Sequence, residues 1–359
     1  MYYLLDTDLN FVAPLEGYQS VIWTTRYYES GDFEFYIPAI TEMLNLLKED
    51  YYITRDDDFT QCMIIEGIRI TTDVESGNYI IVTGRSLKSI LHRRVIWKQT
   101  VVEGAVEDCV HKLINENAIN PAINKRKINK LVLGAKLGIT ETMSAQYTGD
   151  NLGEVIETIC KKYALGYDIL LDLEEKQFIF VIFSGADRSF NQTENPYVVF
   201  SNDFENLLKT DYVYDKSTYK NVALVAGEGE GVNRKIYNVG GASDLNRYEI
   251  FVDAKDVSSE VESENGEEKT TLSEEEYNEL LSEKGTEALT ETGIIENVDG
   301  DLETNYTYSF NVDYFLGDIV QVINEYGKEM TPRIIEVIEN EDESGKNTVV
   351  TFATDEQEE

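Results

Sequence analysis

Residues 32–38 read Asp-Phe-Glu-Phe-Tyr-Ile-Pro, so Phe33, Phe35 and Ile37 alternate with Asp32, Glu34 and Tyr36. A period of two sends successive side chains to opposite faces, which makes this segment a strand with one buried face. Pro38 ends it, because proline offers no donor to a ladder. Strand signals recur in residues 20–28, 51–55, 62–74 and 78–85. Glu29, Ser30 and Gly31 form a turn between the first two strands, and Glu75, Ser76 and Gly77 between the last two. Residues 39–48 have apolar side chains at 40, 43, 44 and 47, the spacing of a short helix. Short strands this closely spaced predict a small barrel or sandwich over residues 1–95, expected as a first β-barrel domain.

The pattern then changes. Val106, Cys109, Val110, Leu113 and Ile114 share one helical face. Asn151 is placed to cap a second helix whose apolar face is Leu152, Val155, Ile156, Ile159, Cys160 and Tyr163, with Glu154 three residues after the cap and Gly166 where the helix should stop. Two strands follow, around Glu174, Glu175 and Lys176, so residues 96–195 are expected to form a small α/β domain.

Strand signals return at 196–201, 207–215, 221–227 and 247–253, and again at 305–312, 318–324, 330–340 and 347–353. Residues 196–253 and 305–353 are expected to build a second β-barrel domain. Between them, residues 253–303 hold 18 Asp or Glu against Lys255, Lys269 and Lys284, which marks 254–304 as an acidic insertion. Its first part, 257–269, is expected to be mobile. Ser273, with Glu276 three residues on and Leu272 placed to staple onto Tyr277, predicts a helix over 273–289, interrupted at Gly285. Residues 354–359 are a charged tail. The expected fold class is therefore α+β, mainly β.

Charge narrows the function. The 359 residues carry 68 acidic and 31 basic side chains, a net charge of −37. That argues against a phosphate-backbone binder, whose affinity comes from Lys and Arg. No apolar run approaches the roughly 18 residues of a membrane span, so no membrane insertion is expected. The first residues lack the basic segment and apolar core of an export signal. Cys62, Cys109 and Cys160 form no CxxC pair and read as reduced thiols.

No constellation for chemistry assembles. His92 sits with Arg93 and Arg94 and is expected to be exposed or paired with an acid. His111 lies two residues from Cys109, which points the two apart on a helix. Zinc-type ligand spacing is absent. The glycine-rich stretch 227–231 lacks the Lys–Ser/Thr of a phosphate loop and reads as a flexible turn. Asn297, Asp299, Asp301 and Glu303 resemble a calcium loop only in composition, because the glycine is not in the sixth place; an acidic turn is the simpler reading. Asp56, Asp57 and Asp58 read as a solvated loop, and Asp6 and Asp8 lack the glycine of an aspartic-protease motif. No acid pair is singled out for glycoside hydrolysis, and two tryptophans are few for stacking on sugars. No catalytic, cofactor-binding or metal-binding residue is assigned, no cofactor is expected, and the chain is read as a non-enzyme.

Eight stretches taken in order resemble one family: 23–38 (WTTRYYESGDFEFYIP), 84–94 (GRSLKSILHRR), 166–172 (GYDILLD), 183–192 (FSGADRSFNQ), 196–207 (PYVVFSNDFENL), 219–231 (YKNVALVAGEGEG), 247–256 (RYEIFVDAKD) and 313–322 (DYFLGDIVQV). Together they look like the hub proteins at the distal end of phage tails and tail-like bacteriocins. The resemblance implies a ring-shaped homotrimer with two related β-barrel domains per subunit. Six barrels would then match a hexameric tail tube or distal tail protein on one side and a trimeric spike or fibre on the other. It implies the tape measure protein as a further neighbour, and DNA passing through the lumen without specific binding. It places the protein in a virion or tail-like particle, after synthesis in the host cytoplasm. Larger relatives append a peptidase or cell-wall hydrolase domain. This chain stops near residue 355 without one, so a structural hub is expected, with a tail-associated hydrolase as the alternative. An adhesin is disfavoured because no repeats are present. The acidic stretch 253–303 does not match the family pattern.

Overall fold

The computed structural model describes residues 1–73, 77–262, 269–302 and 307–353. The chain opens with β1 (Tyr2–Leu5), β2 (Phe11–Leu15), β3 (Ser20–Arg26) and β4 (Asp32–Pro38). Helix α1 (Thr41–Leu46) leads to β5 (Tyr52–Arg55), β6 (Cys62–Asp73) and β7 (Gly77–Ser86). The alternation in β4 does what its period requires: Phe33, Phe35 and Ile37 are buried. They join Tyr2, Tyr18 and Trp23 in an aromatic cluster, with Tyr2 edge-on to Phe35 at 4.8 Å between ring centroids. Glu75 and Ser76 of the expected turn lie outside the described residues.

The middle of the chain contains β8 (Thr100–Ala105), α2 (Val106–Ile114), β9 (Leu131–Leu133), β10 (Thr142–Tyr147), α3 (Leu152–Lys162), β11 (Gly166–Asp172) and β12 (Gln177–Phe183). The apolar faces of α2 and α3 meet in one core with the β11–β12 hairpin. Asn151 caps α3, its side chain accepting from the N–H groups of Gly153 and Glu154. The left-handed residue that ends this helix is Ala164 (φ 51°), while Gly166 already belongs to β11.

Next come β13 (Val199–Ser201), β14 (Leu207–Asp215), β15 (Val222–Ala226), β16 (Ile236–Val239), β17 (Glu249–Asp253), β18 (Glu260–Glu262) and β19 (Lys269–Thr271). Helix α4 (Glu274–Glu291) precedes β20 (Ile295–Leu302), β21 (Gln321–Ile323), β22 (Glu329–Met330), β23 (Arg333–Asp342) and β24 (Gly345–Ala353). Ser273 and Glu276 form the expected capping box.

Several local expectations change here. The helix runs unbroken through Gly285, where a Cβ would lie 2.5 Å from Val239 and 2.8 Å from Val225. That glycine lets the helix sit close on a sheet. Strands β16 and β17 both pair with β15, and the three pack under α4 in a core of their own, so segments 221–227 and 247–253 do not join the strands of 305–353. Val257 is buried in that core and β18 pairs with β19, which is more order than expected for 257–262. The acidic stretch holding Asn297, Asp299 and Asp301 is a strand and not a turn; Glu303 lies outside the described residues. Residues 307–312 form no strand, and 305–306 are not among those described. The tail 354–359 also lies outside them.

The main sheet has eleven strands in the order β14-β20-β24-β23-β3-β4-β7-β6-β5-β1-β2. Strands from the beginning and end of the chain thus share one sheet, joined where β23 pairs with β3. The unit from 216 to 294 leaves and returns at the end of the β14–β20 ladder, where Asp215 faces Ile295. It also leans on the middle region, where Lys162 pairs with Glu283 at 2.6 Å.

Candidate functional site

The residues with the most chemical potential are all occupied or buried. Nε2 of His92 lies 3.0 Å from Oε1 of Glu157, and that hydrogen bond raises the imidazole's pKa. His111 is buried edge-on to Phe180, and burial lowers its pKa. The three cysteines are buried free thiols. Burial pushes the Cys160 thiol up to about 12 and Cys109 to about 11, so neither is a thiolate at neutral pH. Each aspartate of the 56–58 run has a different partner: the chain's N-terminal amine, Arg55 and Thr60. Asp6 accepts from Asn10 in a local turn. Gly227 follows β15, and the neighbouring Glu228 N–H donates to the Tyr277 hydroxyl. No cluster of metal-ligating side chains occurs among the described residues, and no helix there is long and apolar enough to cross a membrane.

The surface with a definite geometry is the main sheet itself. Strands β3, β4, β7 and β6 lie in the order first, second, fourth, third, all antiparallel. Strands β14, β20, β24 and β23 repeat that order. The repetition extends to detail. The third strand of each set carries a bulge, between Ile65 and Gly67 in β6 and between Ile334 and Glu336 in β23. The stretches from bulge to hairpin, 67–73 and 336–342, are equal in length. In the fourth strands, Val82–Thr83 and Val350–Thr351 occupy matching positions opposite them. The second hairpin is tight: Asp342 accepts from Ser344, and Gly345 has φ 129°.

The joint between the two modules is held by charge as well as by its ladder. Arg26 of β3 bridges Glu336 of β23 and Asp32 of β4. Arg55 is nearly buried and takes Asp57 and Glu339, the latter at 2.9 Å through Nη2. Burial works against its charge, but the hydrogen bonds to Glu339 and Asp57 raise its pKa overall. Beside the joint lies a cavity of about 850 Å³ lined in part by Trp23, Arg55, Lys88, Phe183 and Asp318. Its buried cation, Lys88, is already held by the carbonyl oxygens of Arg26 and Tyr27 and lies over the Tyr167 ring.

Each four-stranded module leaves one strand edge open among the described residues. Strand β14 ends the sheet. On β6 the neighbour β5 covers only Cys62, Met63 and Ile64, so from Gly67 onward the outer edge has no ladder among the described residues. Both edges display apolar side chains: Ile70 is 55 % exposed, Tyr212 38 % and Tyr214 54 %. The sequence reading assigned no role to these residues. No signal in the sequence marks them: in β14, LLKTDYVYD, Lys209, Asp211 and Asp215 alternate with Thr210, Tyr212 and Tyr214, as in an ordinary strand with one solvated face.

The model of the siphovirus ReqiPepy6 Gp37-like protein family matches residues 1–352. The chain belongs to this phage tail protein family. Among curated proteins, none matches the sequence. The chain has the fold of several solved tail proteins. A tail protein from Neisseria meningitidis MC58 aligns with a TM-score of 0.57 at 14 % identity, over 99 % of this chain and 97 % of that one. The 43 kDa tail protein of prophage MuSo2 from Shewanella oneidensis gives 0.57 at 11 % identity, over 98 % of both. Prophage tail protein gp18 from Listeria monocytogenes EGD-e gives 0.53 at 12 % identity, over 99 % and 95 %. The chain is thus mostly β, with several sheets, and shares its fold with phage tail proteins, as the resemblance implied.

Proposed function

We propose that three copies of this chain close into a ring that serves as the hub at the distal end of a phage tail or tail-like particle, joining a hexameric tail tube to a trimeric spike or fibre. The observation that carries this reading is the repeated four-stranded module. Two modules joined edge to edge make each chain count twice, so three chains supply six repeats. A threefold object then offers a sixfold face to the tube. Membership of a phage tail family supports a place in the virion.

The sheet supports a second element of the proposal. Its face turned away from the module cores carries Asp32, Glu34, Asp211, Asp215, Asp299, Glu336 and Asp342 against Arg26, Arg69, Arg85 and Lys209. If this face lines the bore, its net negative charge repels passing DNA and prevents adhesion. In this reading the chain is a structural part of the particle without catalysis. Its partners are its own copies, the tail tube or distal tail protein, the tape measure protein, and the spike or fibre.

Native mass spectrometry of the full chain across a concentration series, with class averages by electron microscopy, tests the ring. Trimers with six repeats around the inner contour are expected. A chain that stays monomeric at every concentration and in the presence of tube protein, or one that closes with another copy number, overturns the proposal.

A further inference from the structure

We infer that adjacent subunits of this ring join by an antiparallel ladder between β14 of one copy and residues 67–73 of β6 of the next, in the register that β3 and β23 already show inside the chain. The inference rests on the proposed ring and names the surface that would close it.

The register follows from backbone pairing alone. Trp23 faces Phe33, which faces Gly84; Tyr212 faces Val298, which faces Phe352. Gly84 faces Ile65, and Phe352 faces Ile334, the residues just before the two bulges. Trp23 and Tyr212 therefore hold equivalent places in their modules. Counting from the bulges, Ile70 is equivalent to Glu339. Inside the chain Glu339 faces Trp23. Transferred to the joint between copies, Ile70 faces Tyr212, Ile68 faces Tyr214, Thr72 faces Thr210, and Arg69 faces Val213.

Side chains played no part in setting that register, yet it matches them. The exposed Ile70 meets the exposed Tyr212, and the exposed Tyr214 meets Ile68. Arg69 falls between Asp211 and Asp215, each two residues from Val213 and on its face of the strand. A slip of one residue would turn each apolar side chain to the opposite face from its partner. Left uncovered, two apolar strand edges on one molecule invite uncontrolled pairing. Covering each with the other's counterpart uses both edges in a head-to-tail contact, the kind that closes into rings.

Cysteine pairs in the full chain test the register. The native thiols are buried and do not compete. Under oxidising conditions Ile70→Cys with Tyr212→Cys should yield a covalent trimer, because directly opposed Cα atoms lie within disulfide range. Ile70→Cys with Asp211→Cys, one residue out of register, should not. Arg69→Asp should raise the concentration needed for assembly several-fold, and adding Asp211→Arg should recover much of the loss. A trimer by native mass whose 70/212 pair stays uncrosslinked, or whose 70/211 pair crosslinks instead, overturns this joint and leaves the ring standing. Absence of any trimer from the unmodified chain removes the ring and the joint together.

Discussion

The two four-stranded modules share strand order and bulge position, but their first strands live in different surroundings. In the first module, β3 is paired on both sides and Trp23 is fully buried in the aromatic cluster. In the second, β14 has one open edge and the equivalent Tyr212 is exposed. Their connections differ as well. Five residues link β3 to β4, from 27 to 31, whereas the unit 216–294 links β14 to β20. The difference teaches that this module is defined by its ladders. A connection of any size is tolerated if it leaves and returns at adjacent ladder ends, since loop-closure entropy grows only slowly with length.

Substituting the two equivalent residues is the sharpest way to break this comparison. Trp23→Ala should cost about 3–5 kcal/mol in denaturant unfolding, the usual loss for a large buried aromatic. Tyr212→Ala should change monomer stability by about 1 kcal/mol or less, since its contacts with Glu296 and Lys328 are solvent-exposed. Equal losses would mean the two environments are not distinct. A smaller effect, about 1–3 kcal/mol, is expected for Arg55→Met, which strips the joint of its bidentate partner; Glu339 and Asp57 keep some access to water, which moderates the loss.

The insertion should respond separately. Gly285→Leu forces a side chain between α4 and Val225 and Val239, an overpacking cost of about 1–3 kcal/mol. Amide exchange should accelerate in β15, β16 and β17 while β3 and β4 keep their protection. Accelerated exchange throughout the main sheet would show that the insertion and the modules open as one unit.

The smallest expected effect depends on pH. Glu287 of α4 accepts from the Tyr147 hydroxyl, and burial pushes its carboxyl from 4.5 up to about 6, partly offset by nearby Lys284. Because the docked pKa is the higher one, this residue's contribution is fully present below pH 4.5 and is lost as pH rises through about 6. Glu287→Gln should flatten the pH dependence of the insertion's amide exchange across that window. An unchanged profile would assign the dependence to other groups.

Much of this was legible in the sequence. The strand of residues 32–38 and the caps at Asn151 and Ser273 depend on neighbours a few residues away, so periodicity and capping chemistry reveal them. The β15–β17 sheet was misplaced for the converse reason. Its strands read as well as any, but nothing in Asn221 to Asp253 states which strands they pair with. The stretch 297–303 read as an acidic turn because strand propensity disfavours Asp, Asn and Gly, and pairing of 297–302 with β14 and β24 overrode it. The open edges were hidden altogether, since an edge is defined by which strand is missing.

The sequence by itself determined where most of the strands and helices lie and which side chains of the regular strands and helices are apolar, and it spells out no nucleophile, acid pair or metal cluster locally. Only the tertiary structure decided that β23 lies against β3, that the insertion folds on its own sheet, and that two modules repeat one order. The reason is that a ladder's hydrogen bonds are the same whichever strand supplies them. The choice of partner is made by burial over long separations, and that is not written in any short stretch of chain.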